Sequence, residues 1–366
     1  MTESLSFQVE FGKFNTRAQK VSFGPGIHVV YGESGTGKSC FIKKLAEMKT
    51  DSKVNFKISK VSRPEKYQIV FQNPDNQIVS KTVQGELAFA LECHGTDPDE
   101  IGAWIQANKQ SLPPAVDLSQ NTAFLSGGEK EILNLVTAFQ LRPSLVMIDD
   151  GLSFLSIENK KKMISLINTW ISDYQTVVIW LSSERNDLSL GDSAWELSLN
   201  KFERIKAPQE STYAPIRIHK GHLDIAIKNL KYEFQKNNPI YDDLTLELTS
   251  CRALGLAGDN GSGKTTLASL LFDFLQPQQG TIDITIEKVP IGAIGYVDQF
   301  PENMIGLNTP AVLLSQLIDA GLFNEQKKTT FFNRLIRFQI SWDTIAEIPG
   351  SRLPWATLRT LLTFLL

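Results

Sequence analysis

The sequence predicts an α/β chain in which a strand, a glycine-rich loop and a helix occur together twice, and three observations carry that expectation. The apolar run Ile27-His28-Val29-Val30-Tyr31 feeds Gly32-Glu33-Ser34-Gly35-Thr36-Gly37-Lys38-Ser39, a complete GxxxxGK[ST] phosphate loop. A second run, Leu254-Gly255-Leu256-Ala257, feeds Gly258-Asp259-Asn260-Gly261-Ser262-Gly263-Lys264-Thr265-Thr266, so the chain contains an internal repeat. Between them, Leu125-Ser126-Gly127-Gly128-Glu129 stands directly before the periodic apolar residues Ile132, Leu133, Leu135 and Val136, which marks a helix start.

Length and composition set the outer limits. With 366 residues the chain is long enough for two domains with sizeable cores. A formal net charge of −3 and the lack of long basic runs give no electrostatic argument for nucleic acid as a partner. The three cysteines, Cys40, Cys93 and Cys251, are odd in number and scattered, which suits a reducing compartment rather than a disulfide framework. Cys40, directly after Ser39, is expected to pack a helix. No N-terminal signal is visible, and the longest apolar stretch, near Leu358 to Leu366, is too short to span a bilayer. Any membrane association is therefore expected to go through a partner.

In chain order, Leu5, Phe7, Val9, Phe11, Val21 and Phe23 alternate as strands do. In the first phosphate loop, Gly35 and Gly37 allow the backbone to curl into a nest of N–H groups, Lys38 reaches terminal phosphates and Ser39 can ligate magnesium. Phe41, Ile42 and Leu45 give the following helix one apolar face. Tyr67 to Phe71 reads as a short strand ending at Gln72, and Asn73-Pro74-Asp75-Asn76 is turn chemistry. From Thr82 to about Ser119 the pattern is helical, with Leu87-Ala88-Phe89-Ala90-Leu91 apolar. Ser126 and Glu129 are spaced as a capping box, which alone accounts for a helix start. Gly127 and Gly128 add what capping does not need: two missing side chains at a helix N-terminus let backbone N–H groups approach an anion. Leu145-Val146-Met147-Ile148-Asp149 is an apolar strand ending in a carboxylate, and Thr176 to Leu181 is a further apolar strand. Residues from about Ile205 to Gly221 read as a linker. Beyond it Ile225, Ile227, Leu230, Tyr232 and Phe234 alternate again.

Phosphate loop, LSGGE and apolar strand ending in Asp149, in this order and spacing, resemble the ATP-binding-cassette family. The segment Phe71-Gln72-Asn73-Pro74-Asp75-Asn76-Gln77 is similar to the glutamine loop of its energy-coupling-factor and cobalt-type importers. The resemblance implies a P-loop nucleotide-hydrolase fold in two tandem cassettes, each with a mostly parallel sheet core, an antiparallel β-subdomain and a helical signature subdomain. The boundaries are placed at 1–204 for the first cassette, 205–221 for the linker and 222–366 for the second. It implies ATP and Mg2+, with Ser39, Gln72, Asp149, Thr265 and Gln299 around the metal and Leu125 to Glu129 as the signature. Phe11 or Phe14 in the first cassette and Phe234 in the second are the candidates to stack on adenine, although an aromatic in an edge strand such as Phe11 or Phe14 is more often ordinary core.

Three positions depart from the family's pattern. Asp150 replaces the catalytic glutamate, one methylene shorter and therefore weak as a base; Ser156 stands where the next loop has aspartate; Ser183 replaces the switch histidine. Lys38 to Gln72 spans 34 residues and Lys264 to Gln299 spans 35, which makes Gln299 the second glutamine-loop residue. Lys38 to Ser126 spans 88, which from Lys264 lands at Arg352, where Leu353 and Trp355 replace the glycine pair and Pro354 opens a helix. Lys38 to Asp149 spans 111, which from Lys264 gives about position 375, past Leu366. The second cassette is thus expected to be incomplete in this sequence, with the chain a piece of a longer protein or a shortened, inactive half.

In the family each ATP lies between the phosphate loop of one cassette and the signature of another, paired within or between chains. Sorted so, Lys38 and Ser39 meet Asp150, Ser183 and the segment near Arg352 in one degenerate site. Lys264, Thr265 and Gln299 meet the intact Ser126-Gly127-Gly128 in a competent one, where Lys264 and Gln299 carry catalysis. The expected function is an ATPase energising an importer for a vitamin or transition metal, peripheral at the cytoplasmic face of the cell membrane. Its membrane-embedded partners would bind the segments after Gln72 and Gln299, with no nucleic acid involved. The alternatives are a soluble twin-cassette protein acting on ribosome or DNA, and a nucleotide-binding regulatory protein without turnover.

Overall fold

The computed structural model describes residues 4–12, 18–50, 54–114, 116–207, 223–235, 238–251, 253–258, 262–286, 295–298 and 301–365. The chain divides into two compact units, Met1–Arg217 with Gly255–Leu267, and Ile218–Leu254 with Ala268–Leu366.

The first unit is built on a six-stranded sheet. In chain order its elements are β1 (Leu5–Phe11), β2 (Gln19–Phe23), β3 (Gly26–Tyr31), α1 (Lys38–Leu45), β4 (Phe56–Ser62), β5 (Tyr67–Val70), α2 (Val83–Cys93) and α3 (Pro98–Asn108). There follow α4 (Gly127–Phe139), β6 (Leu145–Asp149), α5 (Ile157–Tyr174), β7 (Val177–Ser182), β8 (Ser193–Leu197) and β9 (Phe202–Ile205). The large sheet runs β5-β6-β7-β3-β8-β9, parallel except for the antiparallel β9. A separate antiparallel sheet, β2-β1-β4, stands beside it.

Uninterrupted apolar strands are what a parallel sheet covered on both faces requires, and the period of two sorts their side chains. Val29, Val146, Ile148, Val178 and Trp180 join one core with Leu87, Leu135, Val136 and Ile167 from the helices. Val30, Leu145, Met147, Ile179 and Leu181 join the opposite core with Phe7, Phe23, Phe41 and Phe56. Phe41 of α1 is fully buried, edge-on to Phe7 at 5.6 Å and stacked on Phe202 at 5.2 Å. It joins the helix after the phosphate loop to both sheets. Cys40 is buried in the same core.

The second unit contains the antiparallel sheet β11-β10-β12, from β10 (Leu223–Gln235), β11 (Asn238–Cys251) and β12 (Gln279–Ile286). α6 (Lys264–Leu271) follows the second phosphate loop, and the division between the units falls within it, after Leu267. A helical group holds α7 (Pro301–Ile305), α8 (Pro310–Asp319), α9 (Glu325–Arg337), α10 (Trp342–Ile345) and α11 (Trp355–Leu365). Ile305, Leu314, Phe331, Leu335, Leu358 and Leu362 form its core. The helix expected after Pro354 is α11, and Leu353 just before it is buried.

The parallel core expected twice is present once among the described residues. In the first unit β3 lies between β7 and β8, both of which follow α5 in the chain. Described residues 223–365 supply no parallel pair of this kind, and a parallel strand cannot form without neighbours to share its hydrogen bonds. Accordingly Leu254 and Leu256 form no strand and remain 37% and 39% exposed.

Because Phe41 bridges both sheets, Phe41→Ala should cost the first unit about 3–5 kcal/mol. Urea unfolding followed by circular dichroism measures it, and a cost within 1 kcal/mol of zero would contradict this packing role.

Candidate functional site

The site lies where β3, β6 and β7 end. β3 delivers the chain into the loop Gly32–Ser39, whose turn is made by Gly35 and Gly37 at φ 87° and 95°. A Cβ at Gly37 would also come within 2.8 Å of Val54 and 3.1 Å of the Phe56 ring, so glycine is required there for space as well as conformation. Lys38 is buried and its Nζ donates to the Gly32 carbonyl at 2.8 Å, curling its side chain back over the loop. Thr36 Oγ1 closes the loop on the Glu33 carbonyl at 2.8 Å. Glu33, Ser34 and Gly35 face solvent. Burial pulls the Lys38 ammonium below its ordinary range, while Asp150 and Asp149 work in the opposite direction.

Across the loop, β6 ends in buried Asp149 and is followed directly by buried Asp150. Burial pushes Asp149 up to about 6; a hydrogen bond from Ser39 and the charge of Lys38 oppose the rise, and Asp150 adds to it. Asp149 Oδ1 is buried without a hydrogen-bond partner. An orphaned carboxylate oxygen beside a serine hydroxyl is the donor set of a hard divalent cation, so Ser39 and Asp149 fit Mg2+. Bound there, the ion would neutralise phosphate charge.

Asp150 is engaged elsewhere. Its Oδ1 accepts from Ser183 N–H at 2.8 Å and from Ser183 Oγ at 2.9 Å, and its Oδ2 lies 2.8 Å from the same hydroxyl. Gln72 Nε2 approaches Oδ2 at 3.4 Å. Both Asp150 oxygens are thus engaged by Ser183. Two of the three positions that depart from the family's pattern, Asp150 and Ser183, are bonded to each other across 33 residues, and Gln72 is turned towards Asp150.

The loop after Asp150 is held under tension. Asp150 and Leu152 take φ of 53° and 72°, each on the order of 1–3 kcal/mol unfavourable for a residue with a side chain. Trp180 Nε1 donates to the Gly151 carbonyl at 2.9 Å. Ser156 caps α5 by accepting from Asn159 N–H. Behind the Ser183 turn, Lys160 of α5 binds Asp187 at 2.9 Å and Glu184 at 3.0 Å, and Ser182 Oγ donates to Asp187 at 2.6 Å. Burial lowers the Lys160 ammonium, but the two carboxylates outweigh it and leave it above its ordinary value.

The signature segment opens α4 with both capping-box bonds made: Ser126 N–H donates to Glu129 Oε2 at 2.8 Å, and Glu129 N–H to Ser126 Oγ at 3.4 Å. Leu125, Gly127 and Gly128 are buried. One turn further, Lys130 binds Asp75 at 2.6 Å and Asn134 Nδ2 donates to the Pro74 carbonyl at 3.0 Å, so α4 holds the segment after Gln72. Glu131, which sequence reasoning passed over, is 2% exposed on the same helix and accepts from Phe154 N–H at 3.1 Å. The signal in the sequence is an acidic residue standing directly before the apolar run Ile132, Leu133, Leu135 and Val136, on a helix that the structure buries almost throughout.

The expectations for adenine contacts divide. Phe11 is ordinary core, the commoner role of an aromatic in such a strand: it is 5% exposed and packs against Phe56 at 6.0 Å, because β1 turns this face of its alternation into the core. Phe14 lies outside the described residues. Phe234 is half exposed, edge-on to Tyr232 at 5.1 Å. In the second phosphate loop Lys264 Nζ donates to the Gly258 carbonyl at 2.8 Å, the same clasp as Lys38 on Gly32, and Gly263 has φ 88°. Ser262 and Thr265 are exposed and Thr266 is buried. Asp259, Asn260, Gly261 and Gln299 lie outside the described residues.

The family described as ABC transporter matches residues 20–153 and 241–334. A protein of Methanosarcina mazei, provisionally named an ABC transporter ATP-binding protein, is 26% identical over 65% of this chain and 52% of its own length. The energy-coupling factor transporter ATP-binding protein EcfA1 of Streptococcus thermophilus is 28% identical over 49% of this chain and 64% of its own. The chain thus spans between about half and two thirds of these relatives' lengths. The structure of cbiO1 from Clostridium perfringens, described as part of the ABC transporter complex cbiONQ, aligns with a TM-score of 0.44 at 17% identity over 54% of this chain and 86% of that one.

Removing Lys160 would leave Asp187, only 4% exposed, without its cation. Lys160→Met should therefore destabilise the first unit by about 3–5 kcal/mol. Glu184→Gln, at the exposed partner, should stay within about 1 kcal/mol. Paired urea titrations compare the two, and equal costs would contradict the buried ion pair.

Proposed function

The chain belongs to the ABC transporter family, and from that premise we propose that it is an ATP-binding subunit energising a membrane importer, with a first nucleotide site that holds ATP rather than turning it over. What carries this reading is the bond between Asp150 and Ser183, made beside an otherwise well-formed phosphate loop. In-line attack on a γ-phosphate needs a carboxylate free to orient water. Here Asp150 already has both oxygens on Ser183. The parts that bind are in order: the N–H nest, Lys38, and Ser39 with Asp149 for Mg2+.

Lys264 of the second loop carries the same clasp, and α4 presents an intact Ser126-Gly127-Gly128. We assign turnover to a site made from a Lys264-type loop and a signature of this kind, paired within one chain or between two. Gln299 and Thr265 would take part in it. The likeness to energy-coupling factor ATP-binding proteins supports a vitamin or transition-metal importer. Among the described residues no helix is long and apolar enough to cross a membrane, so attachment would run through membrane subunits. The segments after Gln72 and Gln299 are the proposed contacts, at the cytoplasmic face.

Charge-assisted hydrogen bonds from a lysine to phosphate are worth about 1.5–3 kcal/mol, or roughly 10- to 100-fold in affinity. Lys38→Ala and Lys264→Ala should each weaken one class of ATP sites by that factor, read by titration with a fluorescent ATP analogue. Unchanged binding in both variants would refute nucleotide binding at these loops.

A further inference from the structure

The loop that follows Asp150 is tied at several points to elements around it. Asp150 is bonded to Ser183, and Gly151 receives the Trp180 indole N–H from β7. From α4, Glu131 Oε2 accepts Phe154 N–H at 3.1 Å, and the Leu152 backbone also hydrogen-bonds the same carboxyl. Between these ties Asp150 and Leu152 hold left-handed backbone, a conformation that persists only where surroundings impose it. A Cβ at Gly151 would fall 2.6 Å from Ile148 Cγ2, so the loop also lies tight on the end of β6.

We propose that Glu131 is a positioning residue that clamps the loop Gly151–Leu155 to the helix opened by Ser126 and so fixes where the Asp150 carboxylate lies. The inference rests on reading Asp150 as the carboxylate that faces a nucleotide. It goes beyond that reading by assigning control of its position to a residue of the signature helix.

The chemistry of the clamp follows from its surroundings. Glu131 Oε1 is buried without a hydrogen-bond partner. Burial pushes the carboxyl up to about 8; the Phe154 N–H, the Lys160 charge and the Leu152 N–H pull it down, and Asp150 pushes it further up. Lys160 comes from α5 and Asp150 from the loop itself; Glu129 and Lys130 are its charged neighbours on α4. Burial thus favours the uncharged acid, and ionisation would place a negative charge near Asp150. An unfolded glutamate has the ordinary lower value, so the native state binds the extra proton between the two. Stability from Glu131 is thus fully present at low pH and declines as pH rises through the folded value.

The Trp180 indole N–H reports the loop directly, because Trp180 is 1% exposed and bonded to Gly151. Its resonance is identified by its disappearance in Trp180→Phe. In the wild-type chain without nucleotide it should shift with pH with a midpoint near 8; in Glu131→Gln it should keep its low-pH position throughout. In Glu131→Ala the indole hydrogen should exchange about tenfold faster or more, as expected for a loop that opens locally. A wild-type titration identical to that of Glu131→Gln, or Glu131→Ala exchange equal to wild type, would overturn the clamp. If Glu131→Ala does not fold, the comparison of wild type with Glu131→Gln decides alone. Failure of the wild-type chain to bind a fluorescent ATP analogue would sink the functional reading and leave the indole result standing.

Discussion

Two adjacent carboxylates end a strand that is buried along its whole length, and the first unit is arranged around that constraint. β6 is buried from Leu145 to Asp149, and Asp150 continues inward. Unpaired charge in such a place is costly, so each oxygen must be met. Lys38 and Ser39 come from the phosphate loop to Asp149, and Ser183 and Gln72 come to Asp150. Asp149 Oδ1 has no protein hydrogen-bond partner, and with the Ser39 hydroxyl beside it this donor set fits a divalent cation.

The same constraint accounts for the contrast between the two aspartates. Asp149 faces Ser39 and keeps an oxygen for a ligand. Asp150 is turned by its left-handed backbone towards Ser183 and keeps none. A glutamate would carry its carboxylate one methylene further from the strand, and a histidine at position 183 could not form the compact bond that serine makes. Asp150 and Ser183 are bonded to each other through both carboxylate oxygens, and under the proposed reading that bond occupies the carboxylate that would otherwise orient water.

Much of this was legible in the sequence, because the phosphate loops, the signature and the capping box are local patterns whose geometry follows from a few neighbouring residues. The lysine clasp on the first glycine recurs in both loops for that reason. What the sequence hid were contacts across long separations. The Asp150 to Ser183 bond spans 33 residues, and the tie from Glu131 to Phe154 spans 23; neither leaves a mark in spacing alone. For Phe11 the sequence leaves core and adenine contact both open, because alternation shows that a strand has two faces but not which one meets a core; the structure buries it. A strand and its loop can be recognised alone, while a sheet depends on neighbours elsewhere in the chain, and described residues 223–365 contain no parallel pair.

The most direct test of the account is the chemical identity of the nucleotide kept by the Lys38 loop. The Lys264→Ala chain would be loaded with ATP and Mg2+, passed rapidly through gel filtration, and its bound nucleotide separated by chromatography. Recovery as intact ATP is the result that a tied-up Asp150 predicts. Recovery mainly as ADP would mean that the site turns ATP over, and the account of Asp150 and Ser183 would be wrong.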